Sequence, residues 1–194
     1  MGTFTSAITD SGRVVQSAIQ VGASFTPTRI VMGSGTLPTG TTARNIKALV
    51  SPVKTLAINK AVSGNDGTAI IGGLYSNQDV SVAFYFREIG LYAKAVYADG
   101  TETDEVLYAY GNFGSTADHM PAYTSGQPVE RQLDILVYVG NDAQISVTIS
   151  SNAYVTQEQL RNAINAIDLT ITDDTTGYKY KCGIDNGAVY MEEV

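Results

Sequence analysis

Phe86-Arg87-Glu88-Ile89-Gly90-Leu91-Tyr92 sets an adjacent Arg–Glu pair inside an apolar and aromatic run. The run opens at Val80-Ser81-Val82-Ala83-Phe84-Tyr85 and continues through Ala93-Lys94-Ala95-Val96-Tyr97. A charge withdrawn from water is costly unless it is paired or hydrogen bonded. Neighbouring residues of a strand point to opposite faces, so the two charges cannot pair side by side and each needs its own partner. For Glu88 the expected partners are backbone N–H groups of an adjacent turn. For Arg87 they are a carboxylate or carbonyls, reached across a subunit boundary. Gly90 marks a bulge or a close backbone approach. Arg87, Glu88, Gly90 and Tyr92 are therefore either anchors of the fold or contacts to a partner, and both readings stand at this level.

Upstream of the motif, Val14, Val15, Ala18, Ile19 and Val21 have the spacing of one face of a short helix. Asp10 or Ser11 is the expected N-cap and Gly22 the stop. Phe25 to Met32 reads as a strand ended by Gly33-Ser34-Gly35. Ala43 to Val50 reads as a second helix with Ile46, Leu49 and Val50 inward, ended by Pro52. From Val53 onward the chain reads as mostly β, with a turn cluster at Ser63-Gly64-Asn65-Asp66-Gly67. Downstream, Val106 to Tyr110 resumes a strand after an acidic loop, and Gly114 to Pro128 is a long loop. Leu133 to Val139 and the alternating Gln144 to Ser150 read as a closing hairpin.

A boundary falls near Ser151-Asn152. Thr156-Gln157-Glu158-Gln159 has the form of a capping box. Leu160, Ala163, Ile164 and Ile167 follow at helical spacing over residues 151–167. Either this stripe packs on the main domain, or Leu160, Ile164 and Ile167 form the seam of a trimeric coiled coil. Residues 168–194 read as a three-stranded meander, too small to fold alone without a staple. The expected class is α+β, mainly β, with a mixed domain over 1–150, a linker helix over 151–167 and the meander over 168–194.

The 194 residues carry 19 acidic and 12 basic side chains, a formal net charge of −7. Lysine and arginine do not cluster, which argues against nucleic-acid binding. No apolar run reaches the roughly 20 residues that span a bilayer, so no membrane insertion is expected. The N-terminus lacks a signal-peptide core. Met1-Gly2 with Ser6 matches a myristoylation signal only weakly, without basic support. Charged residues make up 16% of the chain, against about 25% in ordinary domains, which implies a neutral polar surface suited to packing among neighbours.

His119 is the single histidine and Cys182 the single cysteine, which removes most nucleophile–base and metal-ligand sets. His119 reads as an ordinary loop residue and Cys182 as a packed or edge-strand residue. Gly33-Ser34-Gly35 with Gly40 has the wrong spacing for a phosphate loop. Asp99, Glu102, Asp104 and Glu105 lack the spacing of a calcium loop and read as a solvated hairpin. Tyr108, Tyr110 and Tyr123 flank the long loop and read as subunit-packing aromatics. No catalytic residue, metal site or cofactor is expected.

Three stretches carry a resemblance. Ile8-Thr9-Asp10-Ser11-Gly12 before a helix, Arg29-Ile30-Val31-Met32-Gly33-Ser34-Gly35, and Phe86 to Tyr92 stand in the order found in the phage tail-collar fibre proteins. Together they extend over roughly residues 1–150. The resemblance implies a domain that joins a fibre to the baseplate of a contractile tail, commonly in a homotrimer. Family members usually continue into a long shaft and a receptor-binding tip. Only 44 residues follow Ser150 here, so the expectation is a short fibre or a fibre adaptor of the virion, assembled in the host cytoplasm. Its expected partners are a baseplate wedge or fibre-docking protein, two further copies of itself, and a further fibre or receptor-binding protein. The alternative is a receptor-binding module whose C-terminal meander contacts a host-surface glycan.

Overall fold

The structure is a computed structural model that describes residues 5–64, 66–124, 127–140, 170–172, 174–185 and 188–193. The chain divides into two compact units, Met1–Ala153 and Tyr154–Val194. The first holds strands β1 (Thr5–Ile8), β2 (Ser24–Gly33), β3 (Pro52–Leu56), β4 (Ile58–Ser63), β5 (Thr68–Ser76), β6 (Phe84–Phe86), β7 (Glu88–Val96), β8 (Val106–Asn112), β9 (Asp118–Met120) and β10 (Glu130–Tyr138), and helix α1 (Asp10–Gln20). The second holds β11 (Thr170–Thr172), β12 (Lys179–Asp185) and β13 (Ala188–Glu193). The protein is mainly β, with α1 the one α-helix among the described residues.

In the first unit a five-stranded antiparallel sheet has the order β1-β8-β7-β2-β3, and a three-stranded sheet the order β10-β5-β4. β6 and β9 form a separate two-stranded ribbon. The main core lies between the sheets. Phe25, Ile30, Met32, Leu91, Ala93, Ala95 and Tyr108 of the larger sheet meet Ala69, Ile71, Tyr75 and Val137 of the smaller one. Helix α1 adds Val15, Ala18 and Ile19 to this core, while Val14 and Val21 point to water. A second core covers the opposite face of the large sheet. There Val31, Leu107 and Tyr110 pack under Ala43, Ile46 and Leu49.

Two bulges set which face each side chain reaches. β7 and β8 pair Leu91 with Ala109 but Tyr92 with Leu107, so Tyr108 is the extra residue. Tyr108 therefore enters the main core while Leu107 and Tyr110 enter the second. The Tyr108 carbonyl is free of the ladder and accepts the Thr9 amide at 2.9 Å. On β2 the register shifts between Pro27 and Arg29, and the Thr28 hydroxyl donates to the Tyr92 carbonyl at 3.2 Å. Proline inside a strand is tolerated at such irregularities.

The structure corrects several expectations. The N-cap of α1 is Thr9, whose hydroxyl accepts from the Gly12 amide at 2.9 Å and donates to the Leu107 carbonyl. Residues 43–50 form turns, not a helix. Their backbone groups are claimed from elsewhere: the Arg44 carbonyl accepts the Asp10 amide at 2.8 Å, and the Val50 amide donates to Glu88 at 3.0 Å. Ile46 and Leu49 are buried as expected, whereas Val50 is exposed. The apolar run around the motif is not one strand. It breaks at Arg87, leaving β6 and β7 in different sheets. The stretch 114–128 contains a 3-10 turn, Gly114–Thr116, and β9, which pairs with β6.

In the second unit β11, β12 and β13 form an antiparallel meander in that order. The expected strand over 144–150 and the expected helix with Leu160, Ile164 and Ile167 lie outside the described residues.

Candidate functional site

Glu88, the first residue of β7, is fully buried at 0% exposure. Its Oε1 accepts the Gly35 amide at 3.0 Å and the Ser51 amide at 2.7 Å. Its Oε2 accepts the Val50 amide at 3.0 Å and the Tyr110 hydroxyl at 2.8 Å. Asn112 closes the network, donating from Nδ2 to the Tyr110 hydroxyl at 3.0 Å and to the Gly35 carbonyl at 3.2 Å. Hydrogen bonds to an ionised group are worth about 1.5–3 kcal/mol each, and four donors are what a carboxylate withdrawn from water needs to offset desolvation. The carboxylate ties three separate segments, 33–35, 50–51 and 110–112, to the start of β7.

The glycines of Gly33-Ser34-Gly35 follow from this carboxylate. A Cβ on Gly33 would lie 2.5 Å from Glu88 Oε1 and 2.6 Å from the Ser51 carbonyl. One on Gly35 would lie 2.5 Å from the same Oε1 and 2.8 Å from the Ser51 nitrogen. Gly90 meets a softer obstacle, since its Cβ would fall 2.5 Å from Leu49 Cδ1 and 2.6 Å from Leu107 Cδ1. At the helix start, a Cβ on Gly12 would sit 2.1 Å from the Tyr108 carbonyl oxygen. The three stretches quoted for the resemblance thus meet along β8: Thr9 and Gly12 at Leu107–Tyr108, and Gly35 and Glu88 at Tyr110–Asn112.

Arg87 does not share this interior. It is the joint between β6 and β7, held by its amide to the Gly33 carbonyl at 3.0 Å and by its carbonyl to the Phe113 amide at 2.7 Å. Its guanidinium lies 5.0 Å from the Tyr85 ring centre. One Nη donates to the Ser34 carbonyl across 3.4 Å, a long bond. Tyr85 in turn meets His119 edge-on at 5.4 Å across the β6–β9 ribbon. Tyr92 is half-buried, with the Arg29 guanidinium 4.3 Å from its ring centre.

The remaining candidates separate in space. Asp118 pairs with Arg131, not with its neighbour His119, which lies on β9. Glu102 pairs with Lys94, and Glu105 with Arg29 at 2.7 Å. Asp99 accepts from Thr101. Asp99, Glu102 and Glu105 are thus engaged by nearby side chains, and no group of His, Cys, Asp and Glu suited to a metal occurs among the described residues. Tyr108 and Tyr110, expected at a subunit surface, are core residues at 0% and 2% exposure. Tyr123 is exposed. Cys182 lies on β12, the central strand of the meander.

Burial pushes the Tyr110 hydroxyl well above the ordinary phenol range. The Asn112 bond pulls it down and the Glu88 carboxylate pushes it further up. Burial does the same to Tyr108, whose hydroxyl donates to the Tyr138 carbonyl at 2.8 Å. Both stay protonated donors at neutral pH. Sequence reasoning missed Tyr110 and Asn112 as members of the Glu88 network. The only available signal was their period-two spacing in Val106 to Asn112, which placed them on one face without saying what lay above it.

No known family's sequence model, no curated protein and no solved structure matches this chain. No helix among the described residues is long and apolar enough to cross a membrane.

Proposed function

We propose that this chain is a structural protein of a contractile tail, a short tail fibre or fibre adaptor that attaches to the baseplate and acts by protein–protein assembly. The observation that carries the reading is the convergence around Glu88. The three stretches that resemble tail-collar fibre proteins are remote in sequence, yet they form one hydrogen-bonded unit along β8. A scattered coincidence of short motifs has no reason to meet on neighbouring residues of one strand.

In this reading the N-terminal unit docks on a baseplate wedge or fibre-docking protein of the virion, and copies of the chain associate as a homotrimer. The C-terminal meander receives a further fibre or receptor-binding protein. The chain needs no cofactor and performs no catalysis in this role. A charge-poor, aromatic surface fits such packing, and assembly of this kind tolerates moderate salt better than a charge-driven complex.

Gold-labelled antibody against the chain, applied to purified tail particles in the electron microscope, tests the reading. The expected result is label confined to the baseplate end. Particles free of label, with the chain recovered only outside them, would contradict it. Saturable binding of the full chain to host-surface glycan would favour the receptor-binding alternative.

A further inference from the structure

Among the described residues of the first unit, the ion pairs leave one half-buried cation over. Lys54 and Lys94, whose side chains are only 19% and 27% exposed, pair with Asp79 and Glu102. Arg29, Arg44, Lys60 and Arg131 also pair with carboxylates. Arg13 and Lys47 are exposed and solvated. Arg87 is half-buried and forms no ion pair among the described residues. A guanidinium has five N–H donors, and this one spends a single long bond on the Ser34 carbonyl.

Its position is nevertheless fixed. The Arg87 backbone is bonded on both sides, and the Tyr85 ring supports the guanidinium face. Beside it the Tyr85 ring is 51% exposed, and His119, also exposed, meets that ring edge-on at 5.4 Å. A pre-positioned arginine beside an exposed tyrosine is the composition of an interface hot spot, where a bidentate carboxylate completes the guanidinium.

We infer that this face of the β6–β9 ribbon is a contact between copies of the chain, with Arg87 taking a carboxylate of the neighbouring copy. The inference rests on the proposed homotrimer and names one of its contact surfaces. The charge balance points to a second copy as the occupant. With 19 acidic against 12 basic residues, the chain has carboxylates to spare. Asp104 and Glu130 are exposed and outside every ion pair among the described residues. In a three-fold ring each copy uses two different patches, so the arginine face of one copy meets an acidic face of the next.

Sedimentation equilibrium of the full chain at micromolar concentration tests this. The wild type is expected near 62 kDa, three times the 20.6 kDa chain. Arg87→Glu is expected to weaken association by at least about tenfold, with Arg87→Lys between the two. At a dilution where the wild type is dissociated the thermal midpoint should hardly move, since the side chain makes one long internal bond. A trimeric wild type with an Arg87→Glu variant of unchanged mass would overturn the inference and leave the trimer standing. A monomeric wild type would overturn both. If Arg87→Glu does not fold, Tyr85→Ala and His119→Ala decide, and unchanged mass in both overturns the contact.

Discussion

Glu88 and Arg87 are neighbours with opposite fates, and the difference lies in what surrounds each. Glu88 is buried and meets three amides and a phenol, and the glycines beside it exist because its carboxylate fills the space of their missing side chains. Gly35→Ala should therefore cost more than Gly90→Ala. At Gly35 the new methyl meets the carboxylate and a backbone nitrogen, while at Gly90 it meets two leucine methyls that can turn. Denaturant unfolding should show a loss of about 2–4 kcal/mol for Gly35→Ala and less than half of that for Gly90→Ala. Equal losses would mean that the Glu88 network yields as readily as a pair of leucines. Tyr75 supplies a control. Its hydroxyl is buried with no hydrogen-bond partner among the described residues, so Tyr75→Phe should be neutral or stabilising. A loss of more than about 1 kcal/mol in the same assay would show that the hydroxyl has a partner.

At the scale of elements, helix α1 was legible because its apolar spacing repeats, and β2 and β8 because their β-branched and aromatic runs end at glycine or polar turns. Residues 43–50 were not legible. Their local spacing suits a helix, but the Arg44 carbonyl and the Val50 amide are committed to Asp10 and Glu88, 34 and 38 positions away. No window of local sequence contains that competition. The break at Arg87 was hidden for the same reason, since the Gly33 carbonyl and the Phe113 amide that interrupt the strand are distant in sequence. The charge pair did announce Glu88 as a residue in need of backbone donors, while the donors themselves, the Gly35, Val50 and Ser51 amides, lie 53, 38 and 37 positions away. The helix cap offers a test at this scale. Thr9→Ala removes the Gly12 cap and leaves the Leu107 carbonyl without its hydroxyl. The expected loss is about 1–2 kcal/mol, with faster amide exchange at Gly12. Unchanged exchange at Gly12 would show that Thr9 does not hold the helix start.

For the whole molecule, the buried phenols and the paired carboxylates bound the pH range of stability. Tyr108 and Tyr110 are raised, so the folded state holds their protons more tightly than the unfolded chain does. Their contribution is complete below about pH 10 and is lost as pH rises from there toward the folded values. On the acid side, the Lys54 bond holds Asp79 low. Burial raises Asp134, but the Lys60 and Gln132 bonds and the Lys60 charge outweigh it. These carboxylates contribute stability above about pH 4 that is lost as pH falls through their folded values. Thermal unfolding across pH should therefore show a plateau that falls away at both ends, and a midpoint still rising above pH 10 would contradict the burial of Tyr108 and Tyr110. The division of the motif between an inward anchor and an outward contact is tested most directly by the unfolding midpoint of the full chain carrying Glu88→Gln or Arg87→Gln. An amide cannot accept all four Glu88 bonds, and breaking a buried charged network costs about 3 kcal/mol or more, about 6–12 °C for a chain of this size. At a dilution where copies of the chain do not associate, Glu88→Gln is predicted to lose that much while Arg87→Gln stays within about 2 °C of the wild type, and equal losses in the two variants would contradict the division.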